Sequence, residues 1–277
     1  MTGSVPPATT IRPPGGWTGW GLAEAWRTRP IARVLARRSL MVRYRQTAVG
    51  ATWVILQPVL MMAVFTIFLG IFAGVGSQGI PYPVFVYSAL LLWGAVSKTV
   101  AEGTGSLLAN AGLLRELWFP RVHCPVSIVL ASLVDLLVAC VPLGVLLLLS
   151  GIVPGPALLA APLFLALAYA AALGATLWLA ALNVRWRDIG QLLPFLLQVW
   201  FFTSPVVYPS SIVPPELRVL HGLNPLVGAL DGFRWAVLGA PPPDPAVLAT
   251  GALAALAALV SGYAFFRLRE PGFADLV

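Results

Sequence analysis

Lys98 is the only lysine in the sequence, and it lies in WGAVSKT, whose K-T ending matches the end of a phosphate-binding loop. Such a loop needs G-x-x-x-x-G-K-[ST], because backbone amides and the lysine hold the phosphates together. Ser97 stands where the last glycine is required, and the flanking residues are apolar enough for a membrane span. ATP hydrolysis by this chain alone is therefore excluded. Acid–base or metal chemistry has no better footing. The ten acidic residues are scattered, neither H-E-x-x-H nor H-x-x-E-H occurs, and His123 and His221 fall on opposite sides of the expected membrane. Cys124 and Cys140 have no His or Cys at ligand spacing and read as small buried hydrophobes. No catalytic residue, bound cofactor or metal site is expected.

Three ionisable residues lie within apolar runs. Lys98 and Glu102 are four apart, share a helix face and can pair, which lowers the cost of placing either in lipid. Asp135 sits mid-way along another run, where a lone carboxylate is costly, so it must face protein or water. It either lines a pathway or acts as a protonated hydrogen-bonding group between helices. A proton-coupled carrier would show a relay of such groups, and here there is one.

The elements that carry these residues follow from composition. With 59% hydrophobic and 10% charged residues in 277, and a mean hydropathy of +0.88, the chain is an all-α integral membrane protein. Six apolar segments reach the ~20 residues a spanning helix needs: about 50–74, 84–105, 123–150, 158–182, 190–207 and 246–266. The net charge of +7 has a topological rather than a nucleic-acid reading: with the N-terminus inside, 14 of the 17 basic residues fall on cytoplasmic segments, which predicts both termini in the cytoplasm.

Ahead of the first span, residues 17–47 interleave Trp17, Trp20, Trp26, Ile31, Val34, Leu35 and Leu40 with arginines, the pattern of an amphipathic helix lying in the interface. It either anchors the chain to anionic lipid or also docks a cytoplasmic partner. Arg43 and Arg45 fix the inner end of span one, and Tyr44 and Trp53 suit the boundary depth. Gln57 and Pro58 are costly against lipid, so they mark the face of span one that looks toward protein or a channel. Between spans two and three, residues 107–117 form a short amphipathic piece that either packs back on its own bundle or fits a groove on a partner.

Four stretches in order, RYRQTAVGATWVILQPVLMMAVFTIFLG, LLRELWFPRVHCP, NVRWRDIGQLLPFLLQVWFFTSPVVYP and LNPLVGALDGFR, resemble the membrane subunit of polysaccharide-exporting ABC transporters of the ABC-2 type, including O-antigen and teichoic-acid exporters. The likeness runs from about Arg43 to the sixth span, and residues 1–16 lie outside it as a flexible tail.

The resemblance implies a homodimer in the bacterial plasma (inner) membrane, with residues 48–277 as its transmembrane domain and two copies of a separate nucleotide-binding subunit carrying ATP and Mg. It implies that lipid-linked polysaccharide is the cargo, with a drug or lipid exporter, or a membrane-embedded envelope-synthesis enzyme, as alternatives. By position, Leu107, Leu108, Leu113, Leu114, Arg115, Glu116 and Leu117 resemble the cytoplasmic coupling helix that receives the ATPase stroke. Residues 210–238, with Pro214, Asn224, Pro225 and Arg234, resemble short re-entrant helices of an outer gate, and Arg185, Arg187 and Asp188 a charged inner turn. Sugar rings stack their C–H faces on aromatic rings, so Trp53, Gln57, Phe65, Phe68, Phe195, Trp200, Phe201, Phe202 and Tyr208 are candidate path residues, with packing or lipid contact as the alternative for each aromatic.

Overall fold

The computed structural model describes residues 21–45 and 52–273, and all its regular elements are helical. Trp17, Trp20, the tail 1–16 and residues 46–47 of the expected interface helix lie outside the described residues. The described part of that helix is two pieces, α1 (Leu22–Arg27) and α2 (Arg29–Arg45). They meet at Thr28, whose hydroxyl donates to the Glu24 carbonyl at 2.8 Å and pairs with His123 Nε2 at 2.7 Å. The expected lipid-facing stripe is divided. Leu35 is buried with Ala32 and Ala36 against the bundle, Ile31 and Leu40 are half-buried, and Val34 and Trp26 are exposed. Small residues let α2 lie close on its neighbours, so one face serves packing instead of lipid.

Next come α3 (Thr52–Phe65), continued by a π-helical stretch Thr66–Phe72, then α4 (Tyr82–Ala109), α5 (Ala111–Glu116) and α6 (His123–Leu149). They are followed by α7 (Ala161–Arg185) behind a 3-10 turn Pro156–Ala160, α8 (Asp188–Thr203), α9 (Arg218–Gly222), α10 (Pro225–Leu238) and α11 (Pro245–Arg269). Among the described residues, five helices are long and apolar enough to cross a membrane: α3 with its π extension, α4, α6, α7 and α11. The segment expected at 190–207 falls short. The 16 residues of α8 rise about 24 Å at 1.5 Å each, against a hydrocarbon core of ~30 Å. The helix stops because Pro205 drives Ser204 into extended backbone, with ψ 145°.

The most buried of the long helices is α4, which packs against α3, α6, α7, α8 and α10. Lipid supplies no hydrophobic driving force between helices, so close approach and polar links hold them together. Both are visible here. Thr99 on α4 pairs with Ser132 on α6 at 2.8 Å, and Ser132 donates to the Tyr169 hydroxyl on α7 at 3.2 Å, joining three helices through hydroxyls alone. Where α7 crosses α11, two glycines remove the side chains that would hold the backbones apart. A Cβ on Gly174 would stand 2.6 Å from the Ala258 carbonyl carbon, and one on Gly262 2.5 Å from the Gly174 oxygen.

The core divides along the bundle. A large cluster fills the middle and the end bearing α9 and α10, around Tyr87, Leu92, Phe164 and Leu230. A smaller one at the other end unites Leu35 of α2, Leu107 of α4, Phe119, Leu177 of α7, Phe266 of α11 and Phe273. Glu270 closes that end, accepting from the Arg121 backbone N–H at 2.7 Å and pairing with Arg267.

Gly174→Val should force α7 and α11 apart and destabilise the protein by about 1–3 kcal/mol, whereas Gly144→Ala, with open space at its Cβ, should have little effect. Thermal unfolding of the two variants in one detergent checks the contrast.

Candidate functional site

A groove of about 1070 Å³ opens along the bundle between α2, α3, α4, α6 and α8. It has a charged end and an aromatic length. The charged end is built around Asp135, whose side chain is only 7% exposed. One carboxylate oxygen meets Arg43 Nη1 and Lys98 Nζ, each at 2.6 Å, and the other accepts from the Tyr44 hydroxyl. Arg43 also bonds Glu102 through Nη2. Two cations and two carboxylates thus form a neutral network, each charge paired as its partly desolvated position requires.

This arrangement corrects the expected Lys98–Glu102 pair. Lys98 turns across to α6, and Glu102 takes Arg43 from the end of α2 instead. Asp135 both lines the groove and, through Arg43, Lys98 and Tyr44, ties α2, α4 and α6 together. From sequence alone Arg43 belongs to the inner end of span one and Tyr44 to the boundary depth. The signal that finds them is charge balance: the apolar runs hold two carboxylates and one cation, so a further cation must enter from a helix end.

Along the groove lie Trp53, Gln57, Phe65, Phe201 and Phe202 of the expected path residues, together with Trp93, which sequence reasoning missed. Phe65 stacks on Phe201 with centroids 5.7 Å apart, and Trp93 meets Phe201 edge-on at 5.5 Å. Gln57 and Pro58 both line the groove, on the face of α3 that turns toward α4 and α8. The other four expected path residues are elsewhere. Phe68 and Phe195 are exposed away from it. Trp200 packs on the core and donates its indole N–H to Asn224 Oδ1 at 3.0 Å, and Tyr208 donates to the Phe202 carbonyl at 3.1 Å. Sequence spacing placed Phe65, Phe68 and Phe72 on one face, but Thr66–Phe72 is π-helical, and the wider turn rotates Phe68 away from the groove.

The expected coupling helix at 107–117 is broken. Leu107 and Leu108 complete α4, Asn110 caps its end, and only Ala111–Glu116 forms α5. Leu107 is fully buried, and Leu113 and Leu114 pack half-buried on the same small cluster, so most of the apolar stripe serves its own bundle. What projects is Arg115, Glu116, Leu117 and Trp118, the last two 57% and 55% exposed.

At the opposite end the expected gate segment is two 3-10 turns, Ser210–Ile212 and Pro215–Leu217, then α9 and α10. Pro214 is exposed before the second turn. Pro225 opens α10, where its missing N–H costs nothing. Asn224 caps that helix by accepting from the Leu226 N–H, and its amide donates to Ser204 Oγ at 2.9 Å and the Thr203 carbonyl at 3.2 Å. Arg234, expected in the outer gate, is 1% exposed. It donates to the carbonyls of Pro205 and Val206, both at 2.7 Å, and stacks 3.7 Å over Phe85. It holds the extended segment after α8 and lines a small second cavity beside it. Among the described residues no group of three His, Cys, Asp or Glu could hold a metal ion.

Asp135→Asn should leave Lys98 without its carboxylate and Arg43 with Glu102 alone, and lower stability by about 2–3 kcal/mol, below the ~3–5 kcal/mol of a fully buried pair because both cations are partly exposed. Lys98→Met, which leaves Arg43 on Asp135, should cost less. Denaturation midpoints of the two variants in detergent give the order.

Residues 32–238 match the model of the ABC-2 type transporter family. The chain is 29% identical to the O-antigen export system permease protein RfbA of Myxococcus xanthus over 92% of this chain and 98% of that protein. It is 25% identical to the RfbA protein of Klebsiella pneumoniae over 73% and 77%, and 25% identical to the polysialic acid transport protein KpsM of Escherichia coli over 84% and 91%. With three quarters of its length inside the match, the chain belongs to the ABC-2 type transporter family of membrane proteins.

Proposed function

We propose that this chain is the transmembrane subunit of an ATP-driven exporter that moves lipid-linked polysaccharide from the cytoplasmic side across the bacterial plasma (inner) membrane. The observation that carries the reading is the groove with aromatic walls and a charged end, in a family whose relatives are named for O-antigen export and polysialic acid transport. Rings of Trp53, Phe65, Trp93 and Phe201 offer C–H stacking that a sliding sugar chain can make and release, and Gln57 offers hydroxyl exchange.

Two copies of the chain act together. α3 and its π-helical extension have no buried residue although the stretch is apolar enough to cross a membrane, so a second protomer would cover them. Six spans then come from α8 extended by residues 204–209 to complete the crossing. Both termini lie in the cytoplasm, because the arginines cluster at the end holding α2, the α7–α8 link and the end of α11. ATP and Mg belong to two copies of a nucleotide-binding subunit. Arg115, Glu116, Leu117 and Trp118 project at that end and are the contact for its stroke, while Leu113 and Leu114 root the tip in the bundle. α2 is held to α4 and α6 through Arg43, so the interface helix moves with them.

Deleting the chain in its source cell should make lipid-linked glycan build up on the cytoplasmic face; build-up outside overturns the reading. Leu117→Asp with Trp118→Asp should leave insertion and thermal stability near wild type and cut recovery of the co-expressed ATPase subunit tenfold or more. Leu113→Asp with Leu114→Asp should lower stability first, and pull-down with melting curves separates the two effects.

A further inference from the structure

A second cavity, of about 200 Å³, lies at the end opposite the charged groove, where three connections meet: the α3–α4 link at Gln78, the turns and α9 from Ser210 to His221, and the proline-rich α10–α11 link. Its volume equals about six or seven waters at ~30 Å³ each, the room of one pyranose ring. His221 Nε2 is buried and has no hydrogen-bond partner, a state that costs free energy unless a ligand or water supplies one. Asp231 stands 3.9 Å from Arg234, an ion pair too long for a hydrogen bond, with Ser210 beside it, so lone pairs of the carboxylate remain open to hydroxyl donors. Arg218 offers a guanidinium that spends only a 3.4 Å contact on the Val213 carbonyl.

The donor set selects the ligand class. Two guanidiniums are matched by Asp231 and Asp244, so neither a free anion nor a cation is favoured, and three His, Cys or acidic groups in metal-binding reach are absent among the described residues. A vicinal diol suits it, since each hydroxyl can donate to a carboxylate while accepting from guanidinium or imidazole. Pro241, Pro242 and Pro243 supply an apolar wall for ring C–H bonds. We propose that this cavity is an outer sugar-binding site that holds one neutral hexopyranose unit, separate from the aromatic groove. Its role as a grip on the emerging chain rests on the polysaccharide reading above; its binding chemistry does not.

The test uses the full chain in lipid nanodiscs without nucleotide, with methyl glycosides of glucose, galactose, mannose and rhamnose as probes and saturation-transfer NMR as readout. At least one glycoside should bind saturably, and Asp231→Asn or His221→Ala should weaken it tenfold or more. Should these variants fold poorly, Ser211→Trp at an exposed rim position fills the cavity and should give the same loss. No saturable binding by any probe, or binding that all three substitutions leave unchanged, overturns the site and leaves the cavity to water. Glycan build-up outside the deletion strain would instead overturn the polysaccharide reading, whatever the cavity binds.

Discussion

A carboxylate in an apolar bundle has to find cations, and the rest of this structure is arranged around how Asp135 does so. Its position on α6 is 7% exposed, too dry for solvent to stabilise the charge. Lys98 reaches it from α4 and Arg43 from α2, so one side chain fixes the mutual placement of three helices. Because Arg43 also holds Glu102, the end of α2 cannot slide along α4 without separating charges in a medium that penalises separation. The hydroxyl of Tyr44 completes the set. An amphipathic helix that would otherwise float on the lipid surface is thereby made part of the bundle.

The same rule, that polar groups within the membrane are satisfied internally, shapes the other end. Pro205 interrupts the helical ladder after α8 and leaves the carbonyls of residues 205 and 206 without helical partners. Arg234 answers both from α10, and these hydrogen bonds together with the Phe85 ring under the guanidinium offset part of the cost of burying its charge. Asn224 does comparable work with its amide, tying the end of α8 to the start of α10. The irregular chain between α8 and α10 is thus held by Arg234, Asn224 and Tyr82, whose hydroxyl donates to the Val207 carbonyl at 2.7 Å. The groove and the outer cavity lie on either side of it, one lined by the inner rings of α8 and the other by the turns that follow.

Much was legible from residues alone. Apolar runs marked the long helices, and the cost of Gln57 and Pro58 in such a run pointed them toward the groove they line. Less legible were features that depend on a neighbour's backbone. The coupling segment reads as one amphipathic helix from 107 to 117, yet Leu107 belongs to α4 because the core at that end has a place for it, and the projecting tip is moved on to Leu117 and Trp118. Helical spacing grouped Phe65 with Phe68, but a π-helical turn separates them, and no local propensity announces it.

What the amino-acid sequence determined by itself is the class of molecule: apolar runs long enough to span a membrane require helices that satisfy their own backbone in lipid. Only the tertiary structure decided who pairs with whom. Lys98 had an acceptable partner four residues away and a better one on α6, and Arg234, assigned from sequence only to the gate segment, is enclosed by Phe85 and the carbonyls of Pro205 and Val206. Pair choice depends on the competing desolvation of every group at a crossing, and that sum exists only once the helices are in place.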